Sequence, residues 1–97
     1  MSYTFHPVAE VEHLEAIGYF ESKRPGLGAS YLGDFESTMI KVCDSPQRYP
    51  SEGRLDVRRV RMDWFPYTVF YRELSGVIQV LAIAHHRRRP GYWLGRR

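Results

Sequence analysis

Along the first half of this chain the apolar residues recur every three or four positions, and along the second half every second position. Val8, Val11, Leu14, Ile17 and Phe20 fall at intervals of three, with Glu10, Glu12 and Glu15 between them, the pattern of an amphipathic helix. Pro7 suits its first turn, and Glu10 and Glu12 suit its positive end. It is predicted to run to about Ser22 and to break at Lys23-Arg24-Pro25-Gly26. A second helix is predicted from about Gly28 to Cys43. Tyr31, Leu32, Phe35, Met39, Val42 and Cys43 form its stripe, with Ile40 beside them, so Cys43 reads as core and not as a nucleophile. Tyr3-Thr4-Phe5 is a short β-prone start. Asp44 to Pro50, with two prolines, carries the chain from helix to sheet.

The remainder reads as strand. Leu55 to Met62 is β-prone but rich in arginine. Tyr67 to Arg72 alternates, and Ser75-Gly76 marks a hairpin turn into Val77–Ala84, apolar everywhere but Gln79. Such a run predicts a central strand buried on both faces. The fold class is therefore α+β in the order β-α-α-β-β-β, a helical hairpin packed on one face of a small, mainly antiparallel sheet. A hairpin of two helices covers one side only. The other side is expected to be concave and partly exposed, or covered by another chain.

Ninety-seven residues suffice for one domain, 1–97, whose last stretch, 87–97, is a basic tail with no acid, expected to be extended or irregular. No apolar run approaches the ~20 residues needed to cross a bilayer. Met1 to Glu10 has neither the basic nor the apolar region of a secretion signal. With a single cysteine and no zinc-like spacing, the expectation is a cytoplasmic protein without metal or cofactor.

Charge changes the picture more than composition does. The net charge of +3 is the sum of −4 over residues 1–53 and +7 over residues 54–97, and all ten bases of the second half are arginine. Arginine is favoured where a planar fork must grip carboxylate or phosphate. The second half is thus expected to face something anionic, a nucleic acid or an acidic protein segment.

Specific words then bring in a family. Ala9 to Phe20, with its rhythm of acid, alanine and aromatic, resembles the first helix of RelE/ParE-type toxins. Pro25-Gly26-Leu27-Gly28 is similar to their inter-helix loop, and Ser45-Pro46-Gln47-Arg48-Tyr49-Pro50 to the loop after the second helix. Val57-Arg58-Arg59, Phe65-Pro66-Tyr67 and Tyr71 resemble the middle strands. Ile83-Ala84-His85 followed by Arg87-Arg88-Arg89-Pro90-Gly91-Tyr92-Trp93 resembles the C-terminal signature of the plasmid-stabilisation branch. The resemblance spans nearly the whole chain.

It implies the toxin component of a type II toxin–antitoxin system, neutralised in a hetero-oligomer by a cognate ParD-like antitoxin whose acidic, amphipathic tail wraps the toxin. Tyr19, Phe20, Tyr31 and Phe35 exceed what one sheet face can bury, and some are expected to contact that antitoxin. Two modes of action occur among such toxins. ParE-like members poison DNA gyrase by binding, and target contacts would then fall to Arg58, Arg59, Arg61, Arg87, Arg88, Tyr92 and Trp93. RelE-like members are ribosome-dependent mRNA endoribonucleases. A metal-free cleavage set here would comprise His85 or Tyr92 for proton transfer, with Arg59, Arg61 and Arg87 as phosphate clamps. The RelE design relies on lysines after the second helix, whereas Lys23 and Lys41 lie in or beside the helices. Relatives that use histidine keep it near the C-terminus, whereas eleven residues follow His86. The departure favours gyrase.

Each candidate also has a structural alternative. His85 would serve equally to cap the end of its strand. The strand arginines would pair with helix acids such as Glu12, Glu15 or Glu36. Tyr92 and Trp93 would latch the tail to the body.

Overall fold

The computed structural model describes residues 1–53 and 55–97. Strand β1 (Tyr3–Phe5) leads into helix α1 (Pro7–Lys23) and helix α2 (Leu27–Asp44). Strands β2 (Arg58–Arg61), β3 (Tyr67–Leu74) and β4 (Val77–His85) follow, with short 3-10 turns at Pro46–Arg48 and Leu94–Arg96. The predicted order holds. In the sheet the strands lie β1-β4-β3-β2, with β1 parallel to β4 and the other pairs antiparallel. The hairpin turn falls at Ser75 and Gly76, with φ of 52° and 79°. Two left-handed residues give the turn whose twist matches that of its flanking strands. No helix among the described residues is long and apolar enough to cross a membrane.

β4 is central and largely buried on both sides, as its apolar run, interrupted only by Gln79, predicts. A register shift adds a detail that alternation alone misses. Phe70 pairs with Ala82 and Tyr71 with Val80, which leaves Leu81 as an extra residue. Ile78, Val80 and Ile83 therefore face the helices, whereas Leu81 and Ala82 both serve the far side.

The helices meet closely because glycine permits it. Gly26 turns the chain with φ of 88°, and Glu21 accepts the Gly26 and Gly28 N–H groups at 3.0–3.1 Å. A Cβ on Gly28 would lie 2.8 Å from the Ile17 carbonyl oxygen. α2 buries Tyr31, Phe35, Met39 and Val42 against the sheet.

α1 presents a different face from the one its large apolar residues predict. Its buried residues are Ala9, His13 and Ala16, supported by half-buried Ile17 and Phe20. Val8, Val11 and Leu14 are 45%, 53% and 60% exposed. The cause is distance: alanine lets a helix lie close against the sheet, where valine or leucine would hold it off. A hydropathy stripe weights large side chains and misses a face built from small ones.

The aromatic expectation is corrected in part. Tyr31 and Phe35 are wholly buried and have no surface to offer an antitoxin. They join Phe5, His13, Phe20, Phe65 and Tyr67 in one aromatic cluster, with His13 tilted against Phe35 at 4.4 Å between centroids and Phe20 edge-on to Phe65 at 4.8 Å. Counting one sheet face overlooked Phe65, which reaches in from a loop, and His13. Of the four, Tyr19 alone is largely exposed. The far side of the sheet is likewise covered in part by the chain itself, since Leu55, Val57, Tyr92 and Trp93 pack on Phe70, Leu81 and Ala82.

Candidate functional site

β1 is only three residues long, so it leaves the adjoining edge of β4 unpaired beyond Val80. Unpaired backbone groups inside a protein need partners, and side chains supply them. Glu12 accepts the Ile83 N–H at 3.1 Å, and Arg96 donates to the Leu81 carbonyl at 3.0 Å. The same two residues form an ion pair, and the Tyr92 hydroxyl donates to Glu12 at 2.8 Å. Burial alone would raise the Glu12 carboxyl. The Arg96 guanidinium, the Ile83 N–H and the Tyr92 hydroxyl outweigh it and hold the group below its ordinary value of 4.5. Tyr92 shifts the other way, upward, through burial and then its bond to Glu12.

This clasp brings the tail back over the far face of the sheet. Trp93 stacks on Phe70 with centroids 4.7 Å apart and is 2% exposed. The latch reading of Tyr92 and Trp93 thus describes their place in the fold. Beside them, Thr68, Phe70, Ala84, His85, His86, Arg88, Arg89 and Pro90 help line a cleft of about 300 Å³. The Arg88 guanidinium lies over the Tyr92 ring at 3.9 Å. Arg61 stands across from Thr68 in the ladder and therefore on the same face.

The strand arginines are divided by the two-residue period of their own strand. Arg58 pairs with Tyr71 on the helix side and donates to the Tyr49 carbonyl at 2.7 Å. Arg59 and Arg61 face the far side. None of the three pairs with Glu12, Glu15 or Glu36, in contrast to the expectation. Arg59 is bound to Glu52 at 2.6 Å, and the helix acid Glu12 is taken by Arg96. Arg97 pairs with Asp56. Arg61, Arg87, Arg88 and Arg89 make no ion pair among the described residues, and all four are exposed.

Of the five residues of a cleavage set, His85 and Tyr92 both line the cleft, whereas Arg59, Arg61 and Arg87 do not. His85 pairs with Tyr67 across the ladder, on the helix side, with the two rings edge-on at 5.4 Å. Its Nδ1 accepts the Arg87 N–H at 3.1 Å, the strand-capping role. Arg59 and Arg61 lie on the opposite face, and the Tyr92 hydroxyl is committed to Glu12. What does converge is a cationic rim of Arg88 and Arg89, with Arg61 on the same sheet face, beside an aromatic floor of Phe70, Tyr92 and Trp93.

Sequence reasoning offered Glu12 only as a partner for a strand arginine, and missed Arg96 and the buried His13. Their signal was faint: an acid and a histidine lie on the alanine-bearing stripe of α1, which is visible only once that stripe is known to face inward.

Residues 3–90 match the family described as ParE toxin of type II toxin-antitoxin system, parDE. Eight chains of solved structures are similar. One, from a chromosomal ParDE toxin–antitoxin system of P. aeruginosa, has a TM-score of 0.70 at 17% identity. That alignment covers 88% of this chain and 95% of the other, a likeness of fold. No curated protein matches significantly in sequence. The family match includes Glu12 and stops short of Tyr92, Trp93 and Arg96, the tail residues of the clasp. With nearly all of its sheet and both helices within the match, this chain belongs to the ParE toxin family of type II toxin–antitoxin systems.

Proposed function

We propose that this ParE toxin arrests growth by binding DNA gyrase or its DNA complex in the cytoplasm, and that a ParD-like antitoxin holds it silent. The observation that carries the reading is the cationic rim. Arg61, Arg87, Arg88 and Arg89 are exposed and have no carboxylate partner among the described residues, and Arg88 and Arg89 stand beside the aromatic floor that the clasp fixes. An arrangement of that kind suits a rigid anionic surface, and long-range attraction would speed the encounter. Chemistry on RNA would need a free proton donor and acceptor beside the clamping arginines, and here His85 accepts the Arg87 N–H, the Tyr92 hydroxyl is bound to Glu12, and Arg59 is bound to Glu52.

The antitoxin has a surface of its own. Val8, Val11 and Leu14 form an outward apolar stripe on α1, near exposed Tyr19. An amphipathic segment laid along α1 would cover it, and the acids of such a segment would be drawn to the basic half of the toxin.

Purified toxin added to a gyrase supercoiling reaction is expected to trap cleaved plasmid and to leave messages on translating ribosomes intact. Truncated message with unimpaired supercoiling would assign it to the RNA-cleaving branch instead. Replacing both Arg87 and Arg88 by Glu is expected to abolish growth arrest in a folded protein. Full arrest by that variant would remove the tail from the target contact.

A further inference from the structure

The loop between β2 and β3 holds Trp64 with 86% of its surface exposed, more than any other large apolar side chain among the described residues. A loose loop would let such a ring collapse onto neighbouring apolar surface. This loop is fastened. Oδ2 of Asp34, on α2, accepts the Trp64 N–H at 3.0 Å and the Phe65 N–H at 2.9 Å. Asp34 is only 6% exposed. Its second oxygen, Oδ1, is buried and has no hydrogen-bond partner among the described residues, an uncommon state for a carboxylate. Asp34 and Trp64 line one hollow of about 390 Å³, together with Ser30, Gly33, Ser37 and Phe65. The chain's own cation in that region, Lys41, is held by Asp63 at 2.7 Å.

We propose that this hollow receives a basic side chain, an arginine, presented by a partner protein. The flat guanidinium lies against the Trp64 ring, with its charge beside the Asp34 carboxylate that lines the same hollow. The Ser30 hydroxyl already donates to the Gly26 carbonyl, so its lone pairs face an incoming donor. Nothing lies within 4 Å of where a Cβ on Gly33 would stand, which leaves that wall open. A planar cation that stacks and donates at once fits better than a lysine ammonium. An apolar plug would leave the carboxylate charge uncompensated, and an anion would be repelled by it. The site is distinct from the cationic rim and does not depend on the identity of the toxin's target.

The test is a titration of isotope-labelled full-length protein, followed by nuclear magnetic resonance. The probes are Nα-acetyl-arginine amide and its uncharged isostere, Nα-acetyl-citrulline amide. The arginine probe alone is expected to give a saturable shift of the Trp64 indole and of the Gly33 and Ser37 amides. Trp64→Leu keeps an apolar group on the loop and should weaken binding about threefold to fivefold, the scale of an exposed cation–aromatic contact. Asp34→Asn keeps an oxygen for the loop N–H groups and should weaken it about tenfold or more. The Phe65 amide reports whether the loop stays in place in that variant, and if it moves, Trp64→Leu decides. Equal shifts from citrulline, or an unchanged titration in Trp64→Leu, overturn the proposal. Binding of unblocked L-arginine alone would mark a free amino-acid site and overturn the assignment to a partner's side chain.

Discussion

Arg96 closes a bidentate ion pair on Glu12 of the first helix, Nη1 to Oε1 at 2.8 Å and Nη2 to Oε2 at 3.0 Å. Both side chains are largely buried. Together they complete the edge of β4 where β1 runs out, and so join a helix, a strand and the tail.

Arg96→Met is expected to cost about 1.5–3 kcal/mol, the range for a hydrogen-bonded charge, measured by denaturant unfolding. The double variant with Glu12→Gln should cost less than the sum of the two single changes, since they share one network. Trp93 emission should shift to the red as the tail loosens. Because the folded Glu12 carboxyl lies below its ordinary 4.5, its contribution is complete above that value. It is lost as pH falls through the folded pKa. Unchanged stability and emission in Arg96→Met would show that the clasp holds nothing down.

Gly28 marks the closest approach of the two helices. In Gly28→Ala the new Cβ would sit 2.8 Å from the Ile17 carbonyl oxygen, a backbone atom that cannot swing aside. The helices must separate, at a cost of about 1–3 kcal/mol, although alanine is intrinsically the better helix former. A more stable Gly28→Ala would mean that the hairpin tolerates a wider gap than its geometry indicates.

His13 sits between Phe5 and Phe35, with Nδ1 3.2 Å from the Tyr31 hydroxyl. Burial lowers its pKa from 6.5 against the opposing pull of Glu36 and Glu10. The neutral ring is the folded form, so its contribution is complete above the unfolded pKa and declines as pH falls toward the folded one. Melting temperature should therefore drop as pH falls below the ordinary histidine value of 6.5. His13→Phe, which keeps an aromatic ring in the stack, should flatten that part of the profile. An equally steep profile in the variant would place the titrating group elsewhere.

Val11→Glu and Leu14→Glu lie on the outward stripe of α1. Each is expected to change the stability of the isolated toxin by less than about 0.5 kcal/mol. Both should weaken neutralisation by the antitoxin, read as lost rescue of growth on co-expression. Rescue at wild-type antitoxin levels would move the antitoxin contact off this stripe.

The order of elements, the hairpin turn at Ser75-Gly76 and the buried β4 were legible because each depends on neighbours in sequence. Backbone conformation and alternating burial leave marks within a few residues. The charge polarity was equally plain. The inward face of α1 was not, because Ala9 and Ala16 carry little hydropathy and their role depends on how near the sheet lies. Nor could the chain reveal that Tyr31 and Phe35 would find enough partners to vanish into the core, since Phe65 comes from a distant loop.

By itself, then, the sequence determined a helical hairpin on a small sheet, an arginine-rich second half and the family to which both belong. Only the tertiary structure decided which arginines are free. Arg59, Arg96 and Arg97 each meet a carboxylate brought from elsewhere in the chain, Glu52, Glu12 and Asp56. Arg61, Arg87, Arg88 and Arg89 meet none among the described residues. A guanidinium is charged in any sequence context. Whether that charge is spent inside the molecule or offered to a partner depends on distances of a few ångströms between residues that the linear chain holds far apart.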